Sequence, residues 1–163
     1  MVAQEKNSFK HLKLIFAIII CLGAGFWGSF FTTPAIPTWY ASLTKPSFNP
    51  PNWLFGPVWT TLFILMGISL YLIWREGFEK PLIKKGMMIF AVQLIFNIAW
   101  SMLFFGLKSP LLGLIDIILL WLLIVSTIMT FKKINALAAY LLIPYLAWVS
   151  FASVLNFFIF RLN

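Results

Sequence analysis

Long stretches without charged residues limit what this chain can fold into more than any other feature of its sequence. Four stretches carry no charged residue at all: 14–44, 46–74, 86–107 and 134–160. A fifth, 109–131, carries only Asp116. About 20 apolar residues cross the roughly 30 Å of hydrocarbon in a bilayer, so each stretch is long enough for one crossing. The predicted transmembrane helices are about 14–33, 53–74, 87–106, 111–131 and 137–160.

Composition supports a membrane location for the whole chain. Of its 163 residues, 62% are hydrophobic and only 10% are charged, whereas about a quarter of the residues in an ordinary soluble domain are charged. The first apolar run, Leu14 to Thr33, is longer than the core of a usual signal peptide. We therefore predict an all-α integral membrane protein, a single five-transmembrane-helix bundle over residues 1–163, with the lipid bilayer as its surroundings.

The net charge of +8 is explained by topology, and nucleic acid is not predicted as a partner. A five-pass layout puts nine basic residues on one side: Lys6, Lys10, Lys13, Arg75, Lys80, Lys84, Lys85, Lys132 and Lys133. It puts three on the other side: Lys45, Lys108 and Arg161. Because basic residues concentrate in cytoplasmic loops, we expect a cytoplasmic N-terminus, and composition favours a bacterial cell membrane.

The connection between the first two helices, 34–52, is rich in proline and aromatic residues. Prolines lack an N–H group and restrict the preceding residue, so a regular helix is not expected here. A loop this apolar is expected to fold back over the bundle as a lid, with its rings at the membrane interface. The predicted lid residues are Trp39, Tyr40, Pro46, Phe48, Pro50 and Pro51.

Three stripes of polar and aromatic residues recur at helical spacing, where residues three or four apart share one face. The second predicted helix carries Phe55, Trp59, Phe63 and Met66. The third carries Gln93, Asn97, Trp100, Ser101 and Phe104. The fifth carries Pro144, Trp148, Ala152, Leu155 and Asn156. The stripes either line a ligand pocket or form interhelical contacts, in which a polar pair contributes about 0.6 kcal/mol on average.

Asp116 is the one acidic residue inside a predicted span. A carboxylate at the bilayer centre costs about 2.5–3.5 kcal/mol on insertion scales. It is expected to contact either a ligand or proton, or a polar group of a neighbouring helix. Catalytic and metal patterns are missing: His11, the only histidine, lies in the basic tail, and no zinc spacing or phosphate loop occurs. We predict no metal site and no conventional catalytic residue.

Three motifs resemble one known family. They are WYASLTKPSFNPPNWLFGPVW at 39–59, NIAW followed by FFG at 97–106, and LIPYLAW followed by FA and LN at 142–156. Together they are similar, in order, to the first loop and the second, third and fifth helices of the translocator proteins. These are also called tryptophan-rich sensory proteins, or the TspO/MBR (peripheral-type benzodiazepine receptor) family. The first helix agrees only in character.

The resemblance implies five helices, commonly in a homodimer, with a pocket beneath the first loop that takes porphyrins, sterols or synthetic ligands. Carried over by motif, the pocket residues are Trp59, Phe63, Asn97, Trp100, Trp148, Ala152 and Leu155. Gln93 is added as a polar contact from the same stripe as Asn97, and Asp116 has an acidic counterpart in the family. A phenylalanine replaces the tyrosine of the sterol pattern that ends near Arg161, so porphyrin is favoured over sterol.

The expected function is a membrane binding protein or sensor for porphyrins, with protoporphyrin IX or haem as ligand and no obligatory cofactor. One alternative is an enzyme for light-dependent oxidative degradation of protoporphyrin. Because porphyrin itself supplies the photochemistry, Trp59 and Trp148 would then be the residues that quench or carry the radical. A second alternative is a porphyrin or sterol transporter, and a purely structural membrane protein remains possible.

Overall fold

The chain folds into a bundle of five long helices, as predicted. The computed structural model describes residues 2–163, with side chains described from His11 onward. Within those residues the α-helices are α1 (Val2–Ala35), α2 (Trp39–Ser42), α3 (Asn52–Trp74), α4 (Pro81–Ser101), α5 (Pro110–Lys132), α6 (Ala136–Tyr140) and α7 (Ile143–Leu162). A π-helical turn, Met102–Gly106, extends α4. We call the end with loop 36–51 the loop end, and the opposite end the basic end.

Five helical segments in the described part of the chain are long and apolar enough to cross a membrane. They are His11–Ala35, Asn52–Trp74, Pro81–Gly106, Pro110–Lys132 and Ala136–Leu162. The number of spans agrees with the prediction, but several boundaries differ. The third span begins at Pro81 instead of 87, because proline is well suited to the first turn of a helix. Lys84 and Lys85 lie in the first two turns of the helix, and they had placed the predicted start too late.

The fifth span is not one continuous helix. It consists of α6 and α7, which are separated by a turn at residues 141–142. Pro144 lies in the first turn of α7, where the missing N–H group leaves no hydrogen bond unmade. Asn135 begins the segment, since its side chain accepts a hydrogen bond from the Ala138 N–H at 3.2 Å. Ser109 caps α5 in the same way, at 3.3 Å from the Leu112 nitrogen.

Helices α1 and α3 approach closely near their middle. A Cβ atom added to Gly67 would lie 2.6 Å from the Ile18 Cα, so only glycine allows this backbone approach. Nearer the loop end, two turns beyond Ile18 on α1 and one turn before Gly67 on α3, Gly25 packs directly on the Phe63 ring, which leaves no room for a Cβ. Small residues of this kind let transmembrane helices pack tightly.

Nearer the loop end, α1 leaves α3 and packs on the end of α4. A Cβ on Gly28 would lie 3.0 Å from the Ser101 Oγ, and one on Gly106 would lie 2.9 Å from the Phe31 ring. No atom of another residue lies within 4 Å of a Cβ built on Gly56, in the first turns of α3. The two helices therefore diverge toward the loop end, and the space between them forms the site described next.

Candidate ligand-binding cavity

A cavity of about 540 Å³ lies in the loop-end half of the bundle, among α1, α3, the extended α4 and α7. Seven of the predicted ligand-binding residues line it: Trp59, Phe63, Asn97, Trp100, Trp148, Ala152 and Leu155. These residues come from three separate helices, as the three stripes predicted. Helix α5 contributes none of the lining residues.

Tryptophan rings form the walls of the cavity. Trp59 is stacked on Phe63, with ring centroids 5.6 Å apart and 29° between the planes. Trp100 is stacked on Phe104, with centroids 5.2 Å apart and 15° between the planes. Trp148 meets Phe55 edge to face at 6.1 Å. Because each ring is held by a neighbouring ring, the walls present flat apolar faces in fixed orientations.

Asparagine side chains at the cavity hold two of its walls in place. The Trp100 indole N–H donates to the Asn156 Oδ1 at 3.2 Å, and the Asn156 amide donates to the Pro110 carbonyl oxygen at 2.8 Å. Asn97, one turn before Trp100 on α4, donates to the Tyr145 hydroxyl of α7 at 2.9 Å. These bonds join α4 to α7 and to the start of α5, and so fix the plane of the Trp100 ring.

Two predicted site residues, Gln93 and Asp116, are not brought to the cavity. Gln93 is 1% exposed and Asp116 is 5% exposed, and both lie inside the bundle. Both polar atoms of the Gln93 amide and the Asp116 Oδ2 have no hydrogen-bond partner among the described residues. Gln93 belongs to the same stripe as Asn97 but lies one turn nearer the basic end, where the cavity has already closed. A ligand contact by either residue is not supported by its position.

The loop 36–51 covers the loop end of the bundle, and Tyr40 is the predicted lid residue that lines the cavity. The other five predicted lid residues do not line it. Trp39 packs edge to face on Phe104, 5.4 Å away, and Phe48 packs on Phe158, also 5.4 Å away. Pro46, Pro50 and Pro51 shape the loop without reaching the cavity.

Hydrogen bonds hold this loop closed. The Tyr40 hydroxyl donates to the Asn49 Oδ1 at 2.7 Å, and burial raises the pKa of Tyr40 to about 12. The Asn163 side chain bonds both backbone groups of Thr44: its Oδ1 accepts from the Thr44 N–H and its amide donates to the Thr44 carbonyl, each at 3.0 Å. The loop is therefore attached to the end of α7 as well as to itself.

Sequence analysis missed the contribution of α1. This helix lines the cavity with small and hydroxyl residues together with two larger apolar ones: Leu22, Gly25, Phe26, Gly28, Ser29, Thr32 and Thr33. Ile36, directly after the helix, lines the cavity as well. The signal was present in the sequence, since Gly25, Gly28, Ser29 and Thr32 recur at spacings of three and four. Small residues on one helix face mark a close approach in membranes, but here they also leave room for the cavity.

The chemistry available at the site is that of an apolar binding pocket. No charged side chain is among the lining residues. Among the described residues, no group of three or more histidine, cysteine, aspartate or glutamate side chains is arranged to hold a metal ion. The few polar groups, such as Asn97, Ser101 and Asn156, lie among aromatic rings. Such a site is suited to an apolar molecule and can offer it a small number of hydrogen bonds.

A sequence model of the TspO/MBR family matches residues 17–162, and therefore all five spans. The chain belongs to the TspO/MBR family. Among its relatives are proteins named tryptophan-rich protein TspO from two prokaryotes. The one from Chlorobaculum tepidum is 51% identical over 152 residues, which is 93% of this chain and 96% of that protein. The one from Archaeoglobus fulgidus is 50% identical over 93% of this chain and 97% of that protein.

Animal members of the TspO/MBR family are also similar to this chain. The human translocator protein is 42% identical over 128 residues, which is 77% of this chain and 75% of that protein. The resemblance drawn from the three motifs is thus confirmed, and so is the five-helix membrane fold. This TspO/MBR protein is an integral, multi-pass membrane protein with a binding cavity built from its tryptophan-rich segments.

Proposed function

We propose that this TspO/MBR protein binds a porphyrin, such as protoporphyrin IX or haem, in the cavity and acts as a membrane binding protein or sensor. The observation that carries the proposal is the convergence of Trp59, Trp100 and Trp148, from three helices, on one cavity. A porphyrin is flat, apolar over most of its surface and polar at one edge. Its faces match the tryptophan walls, and its edge matches the hydroxyl and amide groups at the loop end.

Size and energetics support this choice of ligand. Pockets for small molecules and cofactors usually measure about 300–1,000 Å³, and this cavity, at about 540 Å³, falls in that range. Burial of apolar surface stabilises a complex by about 25 cal/mol per Å², and stacking on an aromatic ring adds about 0.5–1.5 kcal/mol. The carboxylate edge of the ligand would lie at the loop end, near Asn52, where water is within reach.

Tryptophan fluorescence tests the proposal. Protoporphyrin IX is expected to quench the emission of the purified protein saturably, and Trp148→Ala is expected to weaken the affinity several-fold, since one stacking contact of about 0.5–1.5 kcal/mol is lost. Trp27→Ala is the matched control, because Trp27 is exposed to lipid and does not line the cavity. Equal affinities in the two variants would contradict the assignment of the cavity.

Light-dependent oxidative degradation of protoporphyrin is a second candidate, favoured by the position of both Trp59 and Trp148 on the cavity wall. The bound porphyrin absorbs the light and dioxygen is the oxidant, so the protein supplies positioning and nearby redox-active rings. Irradiation of the complex is expected to give a defined product in the unaltered protein. Bleaching at the same rate, with the same products, in a Trp59→Phe, Trp148→Phe double variant would rule this candidate out.

We further propose that the N-terminus is cytoplasmic, in a bacterial cell membrane. Seven of the basic residues with described side chains lie at the basic end of the bundle: Lys13, Arg75, Lys80, Lys84, Lys85, Lys132 and Lys133. Lys45, Lys108 and Arg161 lie at the loop end. This asymmetry supports a loop that faces away from the cytoplasm. The homodimer implied by the family resemblance stays a prediction.

A further inference from the structure

One wall of the cavity is formed by residues that also face the lipid. Phe26 on α1 is 63% exposed and Trp53 on α3 is 72% exposed, although both line the cavity. Thr33, Gly56 and Thr60, which line it as well, are also exposed. We call this opening, between residues 26–33 of α1 and residues 53–60 of α3, the lateral gap.

The lateral gap follows from the path of α1. Glycines hold α1 against α3 as far as the contact of Gly25 with Phe63. Beyond that point α1 packs on the end of α4 instead, where Gly28 lies against Ser101. On the side of Gly56 the first turns of α3 are left without a packing partner, so a Cβ on Gly56 would meet no atom of another helix within 4 Å. The gap is therefore a built feature of the helix packing.

The lateral gap extends from the loop end to the depth of the hydrocarbon, and its deepest residues are Phe26 and Thr60. Phe26 is nine residues from Ala35, where α1 ends, and Thr60 is eight residues from Asn52, where α3 begins. At 1.5 Å per residue these positions are about 12–14 Å from the loop end, which approaches the middle of a layer about 30 Å thick. We therefore expect acyl chains of the surrounding bilayer to reach the cavity through this gap.

A ligand route from water through the loop 36–51 is closed, in contrast to the lateral gap. The Asn163 side chain makes two hydrogen bonds to Thr44, and Tyr40 bonds Asn49. The rings of Trp39 and Phe104 pack together beneath the loop, 5.4 Å apart. A ligand that entered from water would have to break these contacts, whereas one that entered from the lipid would pass the exposed side chains of Phe26 and Trp53.

We propose that the ligand passes between the cavity and the bilayer through the lateral gap while the loop stays closed. This inference rests on the proposed function. It narrows the ligand class to molecules that partition into the membrane. Occupancy of the cavity would then depend on the concentration of the ligand in the lipid and not on its concentration in water. A planar ring would enter edge first, between Phe26 and Gly56, and would then meet the Trp59 face.

Blocking the gap tests the route. Gly56→Trp has room for its side chain and would place an indole in the gap. In stopped-flow fluorescence with protein in lipid vesicles, both association and dissociation of protoporphyrin IX are expected to slow at least about tenfold, which corresponds to a barrier raised by about 1.4 kcal/mol. Thr60→Trp is a second variant with the same expected effect, should Gly56→Trp fail to fold.

Two controls separate this route from the alternatives. Gly23→Trp introduces the same side chain at a glycine where a Cβ also meets nothing within 4 Å. Because Gly23 does not line the cavity, the association and dissociation rates of this variant are expected to be unchanged. Asn163→Ala releases the loop from α7 and is expected to leave the rates unchanged too. Faster exchange in Asn163→Ala, or no slowing in a folded Gly56→Trp or Thr60→Trp, would overturn the lateral route.

The outcomes also distinguish this inference from the proposed function. Absence of saturable quenching in the unaltered protein would contradict porphyrin binding itself. Saturable binding with rates that are unaffected by the gap variants would leave the binding function intact and contradict only the route.

Discussion

Ala152→Trp is expected to abolish saturable porphyrin binding while the five-helix fold is retained. Ala152 lies on α7 between Trp148 and Leu155 and lines the cavity. An indole at this position would occupy space between the tryptophan walls that the macrocycle needs. We expect the affinity to fall at least about a hundredfold, or about 2.7 kcal/mol, measured by titration of protoporphyrin IX with the protein in detergent micelles. This is the largest functional effect that we predict.

Ala147→Trp is the matched control for this prediction. It introduces the same side chain on the same helix, at a position that is exposed and does not line the cavity. Its affinity is expected to equal that of the unaltered protein. If Ala152→Trp folds, as judged by circular dichroism and gel filtration, and still binds with undiminished affinity, the ligand does not occupy this cavity.

Gly67→Ala is expected to give the largest loss of stability for the smallest change in side chain. The added methyl group would lie 2.6 Å from the Ile18 Cα, so the α1 and α3 backbones must separate. Overpacking of this kind typically costs about 1–3 kcal/mol. Thermal unfolding in detergent micelles, followed by circular dichroism, should show a clearly lower midpoint for this variant.

Gly23→Ala provides the comparison, because a Cβ at that position on α1 meets no other residue within 4 Å. Alanine is favoured over glycine in a helix by about 1 kcal/mol in water, so the midpoint should stay the same or rise. If the unfolding midpoint falls for Gly67→Ala and rises for Gly23→Ala, the difference comes from the contact at Gly67 and not from helix propensity. Equal effects would contradict the close approach of α1 and α3.

The fold was largely predictable because its signal is the spacing of charged residues. Five apolar stretches must become five helices, since backbone groups in lipid have to bond within their own segment. The boundaries were less predictable. Lys84 and Lys85, in the first two turns of α4, look like loop residues, yet a helix that continues beyond the hydrocarbon can carry them in its exposed turns.

The cavity was predictable in part, for a physical reason. Trp59, Trp100 and Trp148 lie on stripes whose spacing gives the direction in which each side chain points. Spacing does not give the depth at which a cavity ends, which is why Gln93 was grouped with Asn97 although it lies below the closed end. Asp116 was misleading for a related reason: its chemistry marks it as unusual, but α5 has no lining residue.

The contribution of α1 was not predictable from polar or aromatic patterning, because its lining residues are mostly small. Gly25 permits contact with α3, and Gly28 permits contact with α4. Which neighbour a glycine faces depends on how the helices cross, and that is set by the packing of the whole bundle. One sequence therefore indicates that α1 packs closely, but not where it parts from α3.

The π-helical turn at Met102–Gly106 makes the aromatic wall of the cavity sensitive to the number of residues in this turn. Its wider turn lets two consecutive rings, Phe104 and Phe105, both be buried toward the bundle interior. Deleting a single residue here would allow a regular α-helix, in which each position advances by about 100°. The aromatic ring after the deletion would then turn away from the bundle interior. A chain shortened by one residue at this point would keep its five crossings and lose this side of the cavity, so an insertion or deletion would be more damaging here than most substitutions.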